Sequence, residues 1–189
     1  MPDPGWWEAL WPDPAGVLSD VGVKAGSDVV DLCCGDGWFT VPLSKLARSV
    51  VAIDIDAALL DMAKVRMAER SGAPNCAFVE ADAYKIAALL KEPVDYVFLA
   101  NAFHGVPDRA RLAQAVHDVL TPGGLFGIVN WYARPREQTP VLGEPRGPAT
   151  ELRMTLEQTV ASVEPGGLKF RNHIDVLPYH YGAVFERLR

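Results

Sequence analysis

Short continuous apolar runs alternate along the chain with segments in which apolar residues return every three or four positions. The runs at residues 29–33, 50–54, 77–80, 94–100 and 125–130 predict strands, and most lack polar alternation, as expected of strands covered on both faces. Between them, residues 57–70 and 109–120 read as amphipathic helices. In the second, Leu112, Ala115, Val116 and Val119 fall at i, i+3, i+4 and i+7, and Pro122 with Gly123 stops the helix. A short helix is expected over 83–90. After the fifth strand, a Pro/Gly/Arg-rich loop at 133–150 leads to a helix at 156–163, and β-like segments at 168–177 and 181–188 close as a hairpin. Strands and helices taken in turn predict a doubly wound α/β fold with a mostly parallel sheet. No internal repeat or low-complexity linker interrupts the pattern. A single domain over 1–189 is expected, with a helical segment at 1–22 ahead of the first strand.

Composition narrows what such a domain can bind. Lysine and arginine total 18 against 24 acidic residues, a formal net charge of −6, so there is no basic field to hold a nucleic-acid backbone. No stretch reaches the roughly 18 apolar residues of a membrane span, and no basic, apolar leader opens the chain. Three cysteines, two of them adjacent, make neither a disulfide framework nor a C-x-x-C half-site. Cys33 and Cys34 would point to opposite faces of a strand and cannot easily share a metal, so no metal is expected. A soluble, cytoplasmic protein with no nucleic-acid or membrane partner, monomeric or homodimeric, is the resulting expectation.

The densest chemistry lies at VVDLCCGDGWFT, residues 29–40, an apolar strand that ends in an acidic glycine turn and enters a helix. Gly35 and Gly37 can take positive φ and let a ligand rest on the peptide planes. In an open parallel sheet this turn lies at the carboxyl edge, where ligands bind. A dinucleotide fingerprint wants a third small residue, but Thr40 stands there with Trp38 and Phe39 crowding the helix start. Carboxylates at Asp31 and Asp36 would repel a pyrophosphate and suit a cation. The ligand expected is a nucleoside carrying positive charge. Asp54 ends the second strand about 20 residues further on, where an acid meets ribose hydroxyls. Asp56 is better placed as the cap of the next helix, which leaves Asp54 free.

These stretches, taken with VEADAYKI at 79–86 and LTPGG at 120–124, resemble a class I S-adenosylmethionine-dependent methyltransferase of the small, stand-alone bacterial type. The resemblance covers most of the chain in the right order. It implies a seven-stranded sheet with an antiparallel last strand, S-adenosylmethionine as methyl donor and S-adenosylhomocysteine as product. It also implies donor contacts at Asp31, Cys33, Gly35, Gly37, Asp54, Ile55, Asp82, Ala83 and Asn101. Asp31 would meet the amino end of the methionine part, and Asp82 the adenine amino group. Cys33 departs from the family, which more often has glycine there, and a slightly stiffer turn with retained binding is expected. N-terminal segments often cover the donor site in this family. Trp7 and Trp11, at i and i+4, share a helix face, so 1–22 either acts as a lid with Trp11 as a donor contact, or docks on the sheet edge, or makes a dimer contact.

The acceptor side is read from the ends of later strands. Methyl transfer is an in-line displacement, so the protein need only align a nucleophile and, where it is protonated, take its proton. His104, after the fourth strand, has the right ordinary pKa for that, and His180 is a second candidate with Tyr179 beside it. Asn101-Ala-Phe-His is not the N/D-P-P-Y of amino-directed nucleic-acid methyltransferases, which again favours a small-molecule acceptor. Trp131 either walls the acceptor pocket beside Tyr132 or packs in the core, and Arg134, Arg136 and Arg146 in the 133–150 loop are either solvated loop charges, the commoner case, or a clamp for a carboxylate or phosphate. Two further readings stay open: an NAD(P)-dependent oxidoreductase, disfavoured by Thr40 and the acids of the turn, and a non-catalytic S-adenosylmethionine-binding domain.

Overall fold

In the computed structural model, residues 4–70 and 74–188 are described, and residues 1–3 of the expected lid lie outside them. Two short helices, α1 (Pro4–Leu10) and α2 (Pro14–Asp20), precede the first strand. The alternating core follows as β1 (Asp28–Leu32), α3 (Thr40–Leu46), β2 (Ser49–Asp54), α4 (Ala57–Arg70), β3 (Cys76–Glu80), α5 (Ile86–Leu89), β4 (Val94–Ala100), α6 (Arg109–Val119) and β5 (Leu120–Trp131). A two-strand hairpin, β6 (Pro140–Val141) with β7 (Glu144–Pro145), then α7 (Leu156–Val163), β8 (Lys169–Val176) and β9 (His180–Glu186) complete it. Among the described residues these strands build a seven-stranded sheet in the order β3-β2-β1-β4-β5-β9-β8. The pairs from β3 through β5 are parallel, while β9 runs antiparallel to both β5 and β8.

The expected doubly wound sheet with an antiparallel last strand is therefore what forms. Its order reverses between β1 and β4, which opens a crevice at their carboxyl ends. Apolar side chains fill both sides. Val29, Tyr96, Phe98 and Val129 pack with the N-terminal helices, and Val30, Val97, Leu99 and Ile128 pack with α6 and α7. The buried stripe of α6 is Leu112, Ala113, Val116 and Val119. Ala113 takes the place expected of Ala115, because Gly166 packs directly on its methyl group.

Three local expectations are corrected. The helix at 109–120 stops at Val119, because Leu120 already pairs with Val94 at the start of β5. Pro122 and Gly123 therefore lie inside an irregular first half of that strand, before the regular ladder resumes at Leu125. The 133–150 loop carries the β6/β7 hairpin, too short for any periodicity to reveal. Finally, β9 begins at His180, whose backbone pairs with Trp131 on one side and Val176 on the other, so His180 belongs to the sheet and not to the connecting turn.

A buried bond ties the N-terminal helices to the sheet. The Tyr96 hydroxyl, on β4, donates to the Val21 carbonyl at 2.6 Å at the end of α2. Gly127 makes this possible, since a Cβ there would collide with the Tyr96 ring. No helix among the described residues is long and apolar enough to cross a membrane.

Candidate active site

A cavity of about 580 Å³ opens at the carboxyl ends of β1, β2 and β4, roofed by α1 and by the loop around Gly147. The turn after β1 forms its floor. Cys33, Gly35 and Gly37 all have positive φ, at 58°, 56° and 80°. Cys33 holds this conformation with a side chain, which costs roughly 1–2 kcal/mol. Gly35 N–H donates to Asp54 Oδ2 at 2.8 Å, and Asp56 N–H to Asp54 Oδ1 at 3.0 Å. Asp56 in turn accepts from Ala58 N–H and caps α4, as the sequence suggested. Asp54 thus does not stand free; it ties the first turn to the second strand while facing the cavity.

The two acids of the turn part company. Asp31 is buried and accepts the Thr40 hydroxyl proton at 2.5 Å. Burial pushes its carboxyl up to about 7; the Thr40 bond opposes this and the Asp54 charge adds to it. Thr40, which argued against a dinucleotide, is thus the partner of Asp31. Asp36 pairs with Arg66 of α4 at 2.7 Å, and the same guanidinium lies 5.2 Å from the Trp38 ring centre. The cation that Asp36 suits is supplied by the chain itself.

Four further expected donor contacts line the cavity: Ile55, Asp82, Ala83 and Asn101. Asp82 Oδ1 accepts Tyr84 N–H at 2.9 Å, so it caps a short turn and faces the cavity at once. Asn101 sits at φ 58°, an uncommon conformation that turns the chain over the cavity, and its buried Oδ1 has no partner. Gly37 does not reach the lining. A Cβ there would lie 2.8 Å from the Ala63 methyl, so its smallness serves the contact between turn and α4.

His104 is the titratable group at the other end. It sits on a short turn after β4, half-buried, with Nδ1 3.4 Å from Asn130 Oδ1. Arg109 fixes that turn through the Phe103 and His104 carbonyls at 3.2 and 2.7 Å. Burial holds the imidazole below its ordinary value, with Arg109 and Arg153 adding to this against the Asn130 bond. His104 is therefore neutral at pH 7 and able to take a proton.

Several expected contacts stand elsewhere. His180 is fully buried, its ring centre 4.6 Å from Trp11 and 4.1 Å from Trp131, and does not line the cavity. Burial keeps it well below the ordinary imidazole range, so it packs as a neutral ring and is no base for a bound acceptor. Tyr179 donates to the Pro140 carbonyl at 2.9 Å and braces the hairpin. Trp11 lies one layer below the lining, stacked on Trp7 and tilted against Phe39; Trp6 and Trp7 reach the cavity in its place. Trp131 lines the cavity as expected. Tyr132 is bonded to Asp175, Arg134 lies 5.1 Å over Tyr132, and Arg146 lies 5.9 Å over the Trp6 ring, all outside the lining. Sequence reasoning missed Arg153. This buried guanidinium lies 5.0 Å over the Trp131 ring and bonds the Pro148 and Arg146 carbonyls and the Thr139 hydroxyl.

Comparisons with known proteins agree with this geometry. Residues 29–124 match a family model described as a methyltransferase domain. The chain is 32% identical over 112 residues to a demethylmenaquinone methyltransferase of Staphylococcus aureus, covering 58% of this chain and 45% of that protein. It is 27% identical over 124 residues to a tRNA 5-carboxymethoxyuridine methyltransferase of Escherichia coli, covering 66% and 47%. The chain thus spans about half the length of these relatives. Among solved structures, an S-adenosylmethionine-dependent methyltransferase from Aquifex aeolicus superposes with a TM-score of 0.81 at 23% identity, covering 98% of this chain and 94% of that one. The matched segment begins with the second residue of β1, includes the Gly35 turn, Asp54, Asp82 and Asn101, and ends just before the regular part of β5, and the chain belongs to the methyltransferase domain family, with the class I Rossmann-like fold.

Proposed function

We propose that the protein transfers the methyl group of S-adenosylmethionine to a small molecule by in-line displacement. The observation that carries this reading is one cavity lined jointly by Gly35, Asp54, Asp82, Asn101 and His104, with acids at one end and a neutral imidazole at the other. When bound, the donor supplies an electrophilic methyl on a positively charged sulfur. Asp54 and Asp82 would hold its ribose and adenine, Ile55 and Ala83 would pack against the base, and Asp31 would pair with its amino group. Asn101, with a buried, unpartnered Oδ1, offers an acceptor beside the methionine part. Trp6, Trp7 and Trp131 wall the reaction and exclude water. His104 takes the acceptor's proton where the acceptor carries one.

A small molecule is favoured over RNA by the net charge of −6, although one relative is named for a tRNA substrate. The three free thiols fit a reducing, cytoplasmic setting. In the same reading residues 4–20 are a lid, a role supported by Trp6 and Trp7 lining the cavity. The test is calorimetric titration of S-adenosylhomocysteine and, separately, NADH into the wild type and Asp54→Ala. Micromolar binding of the former alone, lost in the variant, is expected. Binding of NADH, or of neither, would overturn the reading.

A further inference from the structure

The polar groups around the cavity are sorted by charge. Asp31, Asp54 and Asp82 lie at the donor end. At the far end, around Trp131, the charged side chains are two arginines that stand behind the lining. His104 lines the wall, Arg109 holds its turn, and Arg153 lies one ring behind Trp131. Arg153 is only 6% exposed and its oxygen partners, two carbonyls and a hydroxyl, are neutral. Its Nη1 has no partner, nor does Asn130 Nδ2. Among the described residues no carboxylate forms an ion pair with Arg153 or Arg109. Glu137 is exposed, and its effect on Arg153 is opposed by Arg136. A cation taken out of water without a counter-ion is costly, and an anion brought to the neighbouring cavity relieves that cost.

Resting on the methyltransferase reading above, we infer that the acceptor is an oxygen acid bound as its anion, a carboxylate or an acidic phenol or enol, and that the buried charge of Arg153 selects it. The oxyanion's lone pair forms the new O–C bond as the C–S bond breaks. The electron pair of that bond passes to sulfur, so a negative acceptor and a positive donor leave as two neutral products. A carboxylate arrives ionised, whereas a phenol or enol gives its proton to His104 or to water. The pairing of charges explains why acids line one end of the cavity while a buried cation stands behind the wall of the other: each balances one reactant, and neither reactant's charge survives the reaction. It also gives Arg153 a role beyond knitting the loop that carries Gly147 and Pro148.

The test uses protein saturated with S-adenosylhomocysteine and two probes of the same shape, benzoate and benzamide, titrated by calorimetry or by quenching of the tryptophans in the wall. If S-adenosylhomocysteine itself fails to bind, it is the methyltransferase reading that falls. With it bound, benzoate is expected to bind about tenfold or more tightly than benzamide, a preference that shrinks as salt is raised. Arg153→Met should bring the two probes near parity, and Arg153→Lys should keep part of the difference. Equal binding, tighter benzamide, or no benzoate binding in the wild type would overturn the inference, as would a preference unchanged in folded Arg153→Met. The wild-type comparison decides even if the methionine variant does not fold.

Discussion

Asp31→Asn is the most informative single change. Burial raises the Asp31 carboxyl from 3.8 to about 7, so the folded protein holds a proton there that the unfolded chain gives up near 4. Between those values the native state binds more protons, and stability must fall as pH rises through that window, with the loss complete above about 7. The displacement corresponds to about 4 kcal/mol at 1.36 kcal/mol per pH unit. Asparagine can still accept the Thr40 hydroxyl but cannot ionise. The variant without ligand should therefore match the wild type near pH 4 and exceed it at pH 8, by up to about 8–16 °C in Tm for a domain of this size. Ligand binding should run the other way. The amino group of the donor needs an ionised partner, so S-adenosylhomocysteine binding to the wild type should release a proton below pH 7 and tighten as pH approaches 7. Thermal melts of both proteins from pH 4.5 to 8, with calorimetry in buffers of different ionisation enthalpy, measure both effects. Parallel Tm curves, or binding without proton release at pH 6, would refute the assignment of the proton to Asp31.

Other changes probe the remaining parts. His104→Ala should leave S-adenosylhomocysteine affinity within a few-fold while lowering kcat by about 10² or more on a protonated acceptor. The acid limb of wild-type kcat/KM should lie below the ordinary imidazole value, since burial favours the neutral ring; a limb above that value would count against His104. Arg66→Met strands the buried Asp36 carboxylate and should cost about 3–5 kcal/mol, with part recovered in Asp36→Asn/Arg66→Met; urea melts of the single and double variants check this. Trp7→Ala should weaken S-adenosylhomocysteine binding more than Tyr179→Phe does, as calorimetry will show, because Trp7 lines the cavity and Tyr179 only braces the hairpin.

What the sequence displays well is what neighbours in sequence decide. The Gly35 turn, the acid at Asp54 and the cap at Asp56 follow from residues that touch within a few positions or across one parallel pair, and each stands at its expected place, although Asp54 is bonded to Gly35 and Asp56 and not free. Contacts set by tertiary phase are another matter. Trp7 and Trp11 do share a face, but which of the N-terminal tryptophans meets the cavity depends on how α1 is rotated over the sheet, and Trp6 and Trp7 win. Asp36 and Arg66 lie 30 residues apart with nothing in either segment to announce the pair. His180 falls between the strand-like segments at 168–177 and 181–188, yet pairing with Trp131 draws it into the sheet and under two rings. Arg153 carries no periodic or motif signal at all; its meaning comes from its having no ion-paired carboxylate among the described residues.

The position of β9 between β5 and β8 has a consequence for biogenesis. As the chain leaves the ribosome, β1 to β5 can assemble in order, but β8 has no partner in the sheet until β9, which follows it, has emerged. Until then the nascent domain exposes β5 as an open edge whose paired length spans Leu125 to Trp131. Such an edge is a template for pairing with other chains. The interval between synthesis of β5 and arrival of β9 is therefore when this protein most needs a chaperone, and a stop codon before residue 180 would yield an aggregating fragment rather than a shorter enzyme.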